Sequence, residues 1–148
     1  MEIRRIREGE GGTVCGLWDR MCGETPGSGP LNEDGRRDLA RMLDMSAWHR
    51  DSFCLVAVTD DKIVGFVSGR VDGGAGLLPD LLGEIGSLYA VPEARAEGVL
   101  RALAEGAVGW LFGYGVRTIR HLSAGDPAFW QEIGFEADLV CLSLYRDD

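Results

Sequence analysis

Residues 88–103 read Leu88-Tyr89-Ala90-Val91-Pro92-Glu93-Ala94-Arg95-Ala96-Glu97-Gly98-Val99-Leu100-Arg101-Ala102-Leu103. The apolar run before Pro92 predicts a strand, and apolar residues at three- and four-residue steps over 97–112 predict a helix. The turn between them exposes the unpaired amides of the helix N-terminus, whose partial positive charge suits an anion such as a pyrophosphate. Gly98 lets a phosphate approach the backbone closely. An ordinary strand-to-helix connection explains the same pattern, so the turn alone does not establish phosphate binding.

The rest of the chain is organised by the same hydropathy periods. Strands are predicted over residues 1–6, 53–58, 63–69, 85–91, 116–122 and 137–145. Helices are predicted over 10–23, from Asn32 or Asp34 to about Trp48, 97–112 (ended by Gly113 and Gly115) and 127–133, with loops over 25–30 and 72–82. The strand-helix-strand order near 84–122 implies a parallel pair next to an antiparallel hairpin. We therefore expect one α/β (α+β) domain over residues 1–148.

Composition narrows the classes of partner. The 148 residues have a formal net charge of −9, with 45% hydrophobic and 26% charged residues. An acidic chain is a poor binder of nucleic-acid backbones, which are held by cationic side chains. Its negative field instead favours cationic ligands. We expect no nucleic-acid partner.

The sequence shows no sign of a membrane segment or a metal site. No run approaches the roughly 20 apolar residues that a membrane span needs, and residues 1–6 lack the apolar block of a signal peptide. The four cysteines form no C-x-x-C pair, and the two histidines leave little with which to build a zinc cluster. We expect a cytoplasmic protein without a metal or a membrane partner, whose thiols are free and mostly buried.

Three segments carry a resemblance to a known family. Leu-Tyr-Ala-Val-Pro-x-x-Arg-x-x-Gly-Val at residues 88–99 resembles the acetyl-CoA loop of the GNAT superfamily of N-acetyltransferases, where strand, Pro, Arg-Gly-x-Gly-x-Gly/Ala and helix follow in that order. Residues 129–135, Phe-Trp-Gln-Glu-Ile-Gly-Phe, are similar to the family's Phe-Tyr-x-x-x-Gly-Phe segment, and residues 56–67 are similar to its central hairpin. The resemblance covers nearly the whole chain. It implies the GNAT fold, with a mixed, mostly antiparallel sheet of about six to seven strands and about four helices.

The resemblance also implies acetyl-CoA as co-substrate and a site for it. Backbone amides near Leu88 and Ala90 are expected to bind the acetyl carbonyl and the pantetheine, and such donors also stabilise a developing oxyanion. The other positions that the resemblance assigns to the cofactor are Arg95, Ala96, Gly98, Val99, Leu100, Ser123 and Trp130.

Several of these positions depart from the family's pattern. Ala96 replaces a Gly, and Leu100 replaces a Gly or Ala. Leu100 is either a core residue on the apolar stripe of the helix or an obstruction to the pyrophosphate, since overpacking costs roughly 1–3 kcal/mol. Glu97 either stabilises the helix N-terminus or repels phosphate. Trp130 stands where the family has its general-acid Tyr, and an indole cannot supply a proton.

Glu84 is the candidate general base, because relatives often have Glu at the start of the same strand. Alternation along the strand puts Glu84, Gly86 and Leu88 on one face, so the carboxylate is expected to reach the cleft directly or through a water molecule. Each remaining candidate has a plainer structural explanation. These candidates are His121 as a base, against a packed or surface residue; Cys141 as a thiol near the site, against a buried one; and Trp18 and Trp48 as walls of an amine pocket, against core residues. Tyr89, Tyr114 and Tyr145 are candidate acids, and nothing in the sequence selects among them.

Two functional hypotheses follow. The first is an N-acetyltransferase that moves acetyl from acetyl-CoA directly to a small-molecule or peptidic primary amine in a ternary complex; the resemblance also implies a homodimer. The alternative is a non-catalytic GNAT-fold module, for ligand binding or protein interaction, with an eroded CoA site. A protein that binds CoA without turnover lies between them.

Overall fold

The computed structural model describes residues 1–72, 81–123, 127–138 and 140–146. These residues form one mixed sheet of five strands, β1 Glu2–Arg5, β2 Ser52–Thr59, β3 Lys62–Asp72, β4 Leu82–Ala90 and β5 Thr118–His121. They also form four α-helices, α1 Gly11–Glu24, α2 Glu33–Met45, α3 Val99–Tyr114 and α4 Ala128–Ile133, and a 3-10 helix, Pro92–Glu97. The predicted mixed α/β fold is confirmed, but with five strands in place of six to seven. Most of the loop predicted over 72–82 lies outside the described residues.

The strands lie in the sheet in sequence order. β1 to β4 are antiparallel, and β5 is parallel to β4 because α3 carries the chain back along the sheet. A tight turn joins β2 to β3, where Asp60 and Asp61 both have left-handed conformations (φ 51° and 60°), as a two-residue type I′ hairpin requires. The predicted hairpin and the predicted parallel pair are both present.

Helices cover both faces of the sheet. On one face α1 packs beside α2, and the Trp18 ring of α1 stacks on Phe66 of β3 with centroids 5.4 Å apart. On the other face α3 approaches so closely that a Cβ atom at Gly65 or Gly83 would lie 3.1 or 3.0 Å from a leucine methyl group of α3. The core is therefore divided by the sheet into two layers.

The structure decides between Asn32 and Asp34 as the N-cap of α2, and it shows where the helix ends. The side-chain oxygen of Asn32 accepts a hydrogen bond from the backbone N–H of Gly35 at 2.7 Å, so Asn32 is the N-cap and Asp34 lies inside the helix. The helix ends at Met45 instead of near Trp48. Beyond Met45 the backbone N–H groups of Ala47 and Trp48 bond three residues back, to Asp44 O and Met45 O at 3.1 Å each, so the chain leaves the α-helical pattern in tighter turns.

α3 is displaced toward the C-terminus relative to the prediction. Gly113 lies within the helix, whereas Gly115 (φ 114°) ends it with the left-handed conformation that glycine favours. The helix begins at Val99, because the preceding 3-10 helix ends at Gly98 (φ 76°) and breaks the path of the chain. The predicted single helix missed this break.

The strand predicted over 137–145 is wrong for the described residues of that segment, which belong to no strand. Val140, Leu142 and Leu144 are 84%, 90% and 99% exposed. Their alternation with polar residues is typical of a strand, but a strand also needs a neighbour that offers hydrogen bonds and a core that covers one face. Cys141, expected to be buried, is exposed for the same reason, whereas Cys15 and Cys54 are buried as expected.

A bidentate ion pair joins β1 to the start of α1. Arg4 Nη1 and Nη2 donate to the two carboxylate oxygens of Glu10 at 2.9 and 2.8 Å. Hydrogen bonding from Arg4 lowers the pKa of Glu10 from 4.5 to about 2, and burial of the carboxylate only partly opposes this. Because the folded pKa lies below the unfolded one, the ionised pair stabilises the fold above the unfolded pKa, and this stability is lost as the pH falls toward about 2.

We therefore predict that Glu10→Gln loses about 2 kcal/mol of unfolding free energy at neutral pH and much less at about pH 3. Urea unfolding at the two pH values measures the difference. Glu93→Gln is the matched control, because the Glu93 side chain is 71% exposed and its nearest contact with Arg20 is 3.8 Å long. An equal loss for Glu10→Gln at both pH values would show that the ion pair is not its cause.

Candidate active site

β4 contains a bulge two residues after Glu84. Gly86 and Ser87 together lie opposite the single residue Ser68 of β3. Such a bulge inserts one residue and reverses the alternation of side chains beyond it. Glu84 and Gly86 lie on the sheet face that α1 covers, whereas Leu88 lies on the face of α3. The expectation that Glu84, Gly86 and Leu88 share one face is therefore wrong for Leu88.

The edge of β4 that faces β5 is open beyond the bulge. β5 ends at His121, which pairs with Ile85, and the described residues provide no strand partner for the rest of β4 on that side. The N–H of Val91 donates to a β3 carbonyl at 2.9 Å, and successive N–H groups of an antiparallel strand point in opposite directions. The N–H groups of Leu88 and Ala90 therefore point to the open edge. These are the two amides that the family resemblance assigns to the acyl group.

The turn after β4 presents a second group of free amides. The N–H of Ala102 is the first in α3 to bond within the helix, to Gly98 O at 3.1 Å, so the amides of residues 99–101 have no partner inside the helix. A Cβ atom at Gly98 would meet nothing within 4 Å, which shows that the space in front of this turn is open. The Leu100 side chain is half-buried and packs against the core. This packing favours the interpretation of Leu100 as a core residue.

Ala96 and Glu97 are the other two residues of this turn that were singled out against cofactor binding, and they differ in size and charge. Ala96 and Glu97 are both exposed, and Val99 is fully buried. Ala96 adds only a methyl group to the surface of the turn. Glu97 adds a carboxylate, and it is the residue that opposes anion binding there.

Arg95 connects the end of β4 to α1. Its Nε donates to Ala90 O at 2.9 Å, and its Nη2 donates to Glu24 Oε2 at 2.9 Å. The guanidinium carbon lies 5.3 Å from the ring centre of Tyr89. Burial raises the pKa of the Tyr89 hydroxyl, and the Glu24 carboxylate raises it further, so Tyr89 keeps its proton at neutral pH. A phosphate bound at the turn would share the Arg95 guanidinium with Glu24.

Ser123 and Trp130, two positions assigned to the cofactor, line one cleft of about 840 Å³ along β5 and α4. Trp130 is buried, and its ring lies against the His121 ring with centroids 4.1 Å apart and the planes tilted by 34°. His121 Nδ1 lies 2.9 Å from the carbonyl oxygen of Ile85. Since a carbonyl only accepts, Nδ1 carries a hydrogen, and Nε2 has the lone pair of the neutral ring. The His121 imidazole, which can take up and release a proton, therefore lies directly against the Trp130 indole, which cannot supply one.

The three tyrosines that the sequence offers as candidate general acids have different surroundings in the structure. Tyr114 donates to Asp51 Oδ1 at 2.7 Å at the end of α3. Tyr145 is 83% exposed on the C-terminal segment. Tyr89 packs between Phe66 and the Arg95 guanidinium. Of the residues considered as proton carriers, His121 is the one whose ring lies against Trp130.

A cavity of about 490 Å³ lies between α1, α2 and the sheet and reaches the bulge; we call it the acceptor cavity. Glu84 and Gly86 line it from β4, and Ser68 lines it from β3. Glu84 Oε2 accepts a hydrogen bond from Arg70 Nε at 2.9 Å, with 32% of the Glu84 side chain exposed. Sequence reasoning missed Arg70, although the antiparallel register of β3 and β4 places it directly opposite Glu84.

The two tryptophans proposed as pocket walls have different positions. Trp18 is half-buried and both packs on Phe66 and lines the acceptor cavity, so its two interpretations are compatible. Trp48 is 61% exposed and does not line that cavity.

The described residues contain neither a membrane-spanning helix nor a metal-binding group of side chains. None of their helices combines the length and the apolar character that crossing a bilayer requires. Among them, no three His, Cys, Asp or Glu side chains gather where they would hold a metal ion.

The chain is similar to known acetyltransferases in sequence pattern and in fold. The sequence model of the acetyltransferase (GNAT) family matches residues 19–135. No curated protein sequence matches the chain. An acetyltransferase of Trypanosoma brucei has a similar structure, with 18% identity, a TM-score of 0.74, and coverage of 98% of this chain and 99% of that one.

Two other solved structures have the same fold. The aminoglycoside N-acetyltransferase AAC(6')-Iy, solved in complex with CoA, is 16% identical with a TM-score of 0.73, over 99% of this chain and 93% of that one. A protein from Bacillus halodurans described as a transcriptional regulator is 15% identical with a TM-score of 0.78, over 98% of this chain and 99% of that one. At these identities the structures show the shared fold, and the family model covers most of the chain. The chain therefore belongs to the GNAT family of acetyltransferases.

Proposed function

We propose that the chain is an N-acetyltransferase that moves an acetyl group from acetyl-CoA to a primary amine by direct attack in a ternary complex. One observation carries the proposal: the open edge of β4, with its outward amides at Leu88 and Ala90, begins at the bulge that the acceptor cavity reaches. An acyl group and an amine can therefore meet at one point of the sheet. Glu84 lies in the cavity beside that point.

The residues at the turn after β4 fit the co-substrate. The free amides of residues 99–101 and the open space at Gly98 suit a pyrophosphate, and the amides of Leu88 and Ala90 suit an extended pantetheine arm. Glu97 weakens this site by charge, and the Arg95 guanidinium, shared with Glu24, partly compensates. When bound, acetyl-CoA supplies the thioester carbonyl at which the amine reacts.

The chain's own groups then have distinct roles. Glu84 removes a proton from the ammonium group, directly or through water, because an amine with a pKa of about 10.4 is protonated at neutral pH. The amine nitrogen bonds to the acetyl carbon and gives up its second proton, the carbon–sulfur bond breaks, and the sulfur leaves as a thiolate that takes up this proton. The amides of Leu88 and Ala90 stabilise the negative charge that develops on the carbonyl oxygen. A thiol pKa of about 8.5 means that the leaving group needs only modest help. We assign the relay of the proton from nitrogen to sulfur to His121, because its Nε2 carries a lone pair that accepts a proton.

Calorimetric titration with acetyl-CoA tests the proposal together with thiol release in the presence of amines. We expect a Kd of the order of micromolar, which is about 8 kcal/mol of binding free energy, and amine-dependent thiol release. Binding without release would indicate a protein that holds CoA but does not transfer. No binding at about millimolar acetyl-CoA would favour the non-catalytic module instead.

A further inference from the structure

The wall of the acceptor cavity is mostly apolar. α1 and α2 contribute carbon-rich side chains to it, namely Trp18, Leu39, Met42, Leu43 and Met45. Met42 and Met45 are 64% and 39% exposed, so the apolar surface continues from the interior to the rim. Exposed methionines next to a cavity are typical of surfaces that adapt to apolar ligands.

The same cavity has little free charge for a ligand. Of the described residues that line it, Glu84 and Arg70 carry full charges, and they are already paired at 2.9 Å. His49 also lines it, but His49 Nδ1 accepts a hydrogen bond from the N–H of Asp51 at 3.1 Å, so that nitrogen has no proton. The Glu84 carboxylate is therefore available to one ammonium group, which replaces the Arg70 guanidinium as its partner.

The wall that follows α2 is held in place before any ligand binds. The Arg5 guanidinium donates to three backbone carbonyls of this wall, at 2.9 Å to Ser46, 2.6 Å to His49 and 3.1 Å to Ser52. It also lies 5.6 Å from the Trp110 ring. Since Ser46, His49 and Ser52 all line the cavity, its shape is largely preformed, as in most small-molecule sites.

We propose that the acceptor is a monoamine with an aromatic or aliphatic body, for which 2-phenylethylamine is the simplest probe. The inference rests on the proposed function, because it names the substrate class of the same site. The single ammonium group meets Glu84, and the apolar body covers Trp18 and the methionines of the rim. A polycation would leave its further ammonium groups against an apolar wall, where an unpaired charge is costly.

The net charge of −9 does not alter this choice. Long-range attraction raises the encounter rate of all cations with the protein, whether they have one charge or several. Selection among them occurs in the cavity, where contact with the wall decides the affinity. The cavity therefore separates this chain's acceptor from the polycationic aminoglycosides that two structural neighbours are named for.

The test compares 2-phenylethylamine with spermidine and kanamycin in the thiol-release assay. We expect kcat/KM for 2-phenylethylamine to exceed that for either polycation by at least tenfold, about 1.4 kcal/mol. Met42→Glu places a second carboxylate at the rim on an exposed side chain, and we expect it to reduce this preference about tenfold. Leu144→Glu is the control, because it adds the same charge at a 99% exposed apolar residue that lines neither this cavity nor the cleft along β5 and α4.

A direct binding measurement separates failure of this inference from failure of the proposed function. Ligand-observed NMR with the protein and each amine, without acetyl-CoA, reports on the cavity alone. Tighter binding of 2-phenylethylamine than of spermidine supports the inference even if acetyl-CoA does not bind. Preference for spermidine, in binding or in turnover, overturns the inference while leaving acetyl transfer intact.

Discussion

Gly98→Trp is expected to raise the Kd for acetyl-CoA by at least about 100-fold, or about 2.7 kcal/mol. The space in front of Gly98 is open, so the indole would not clash with the protein but would occupy the region where the amides of residues 99–101 point. A pyrophosphate and an indole cannot share that region. Calorimetric titration of the variant measures the loss.

The control for this variant must reproduce its backbone strain. Gly98 has φ 76°, and a non-glycine residue in this conformation costs roughly 1–2 kcal/mol. Gly115, at the other end of the same helix, has φ 114° and an equally open Cβ position. Gly115→Trp should therefore lower the melting temperature similarly and leave the Kd unchanged. An unchanged Kd for Gly98→Trp would remove this turn from the cofactor site.

Much of the fold was predictable because most elements are specified by their own residues. The run over 53–58, the Asp60-Asp61 turn and the return strand form a hairpin whose signals are local, since two β-rich segments are joined by a two-residue turn of left-handed residues. The helices are likewise specified by apolar spacing and by caps such as Asn32 and Gly115. Only their ends moved, by a few residues.

The last strand was not predictable on the same basis, because pairing is a property of two segments. Residues 140–145 have the period of a strand, but they are exposed and belong to no strand of the sheet that the described residues form. The alternation of apolar and polar residues indicates which face of a strand would be buried. It does not show that a neighbouring strand is present to pair with it.

The candidate site could be predicted only in part, because several of its contacts depend on pairing between segments that are distant in the sequence. The amides of Leu88 and Ala90 were assigned by the resemblance to the family, which the strand, the proline and the glycine of this segment carry. The bulge at Gly86 and Ser87 could not, because it exists only in the register with β3. The same register brings Arg70 to Glu84 and moves Leu88 to the opposite face, which simple alternation does not foresee. The contact between the His121 and Trp130 rings depends on how α4 packs against β5, and it joins elements that the sequence does not pair locally.

Glu84→Gln is expected to lower kcat about 100-fold at neutral pH with the best amine of the panel. The glutamine keeps the size of the side chain and can still accept a hydrogen bond from Arg70, but it cannot remove a proton from an ammonium group. The loss should shrink as the pH rises toward about 10, where the amine is increasingly neutral before it binds. A kcat profile against pH for both proteins measures this convergence.

Convergence of the two profiles is what distinguishes a base from a binding carboxylate. If Glu84 only attracted the ammonium group, Glu84→Gln would raise KM and leave kcat unchanged at neutral pH. If it only held Arg70 in place, Arg70→Met would have the same effect as Glu84→Gln, whereas a base freed from its partner should keep most of its activity. Glu2→Gln removes a similar charge from the far edge strand, where Glu2 lies 3.9 Å from Arg4, and should leave both constants unchanged. A uniform fall in kcat at every pH would assign the missing proton acceptor to another group, and Glu84 would then act by position alone.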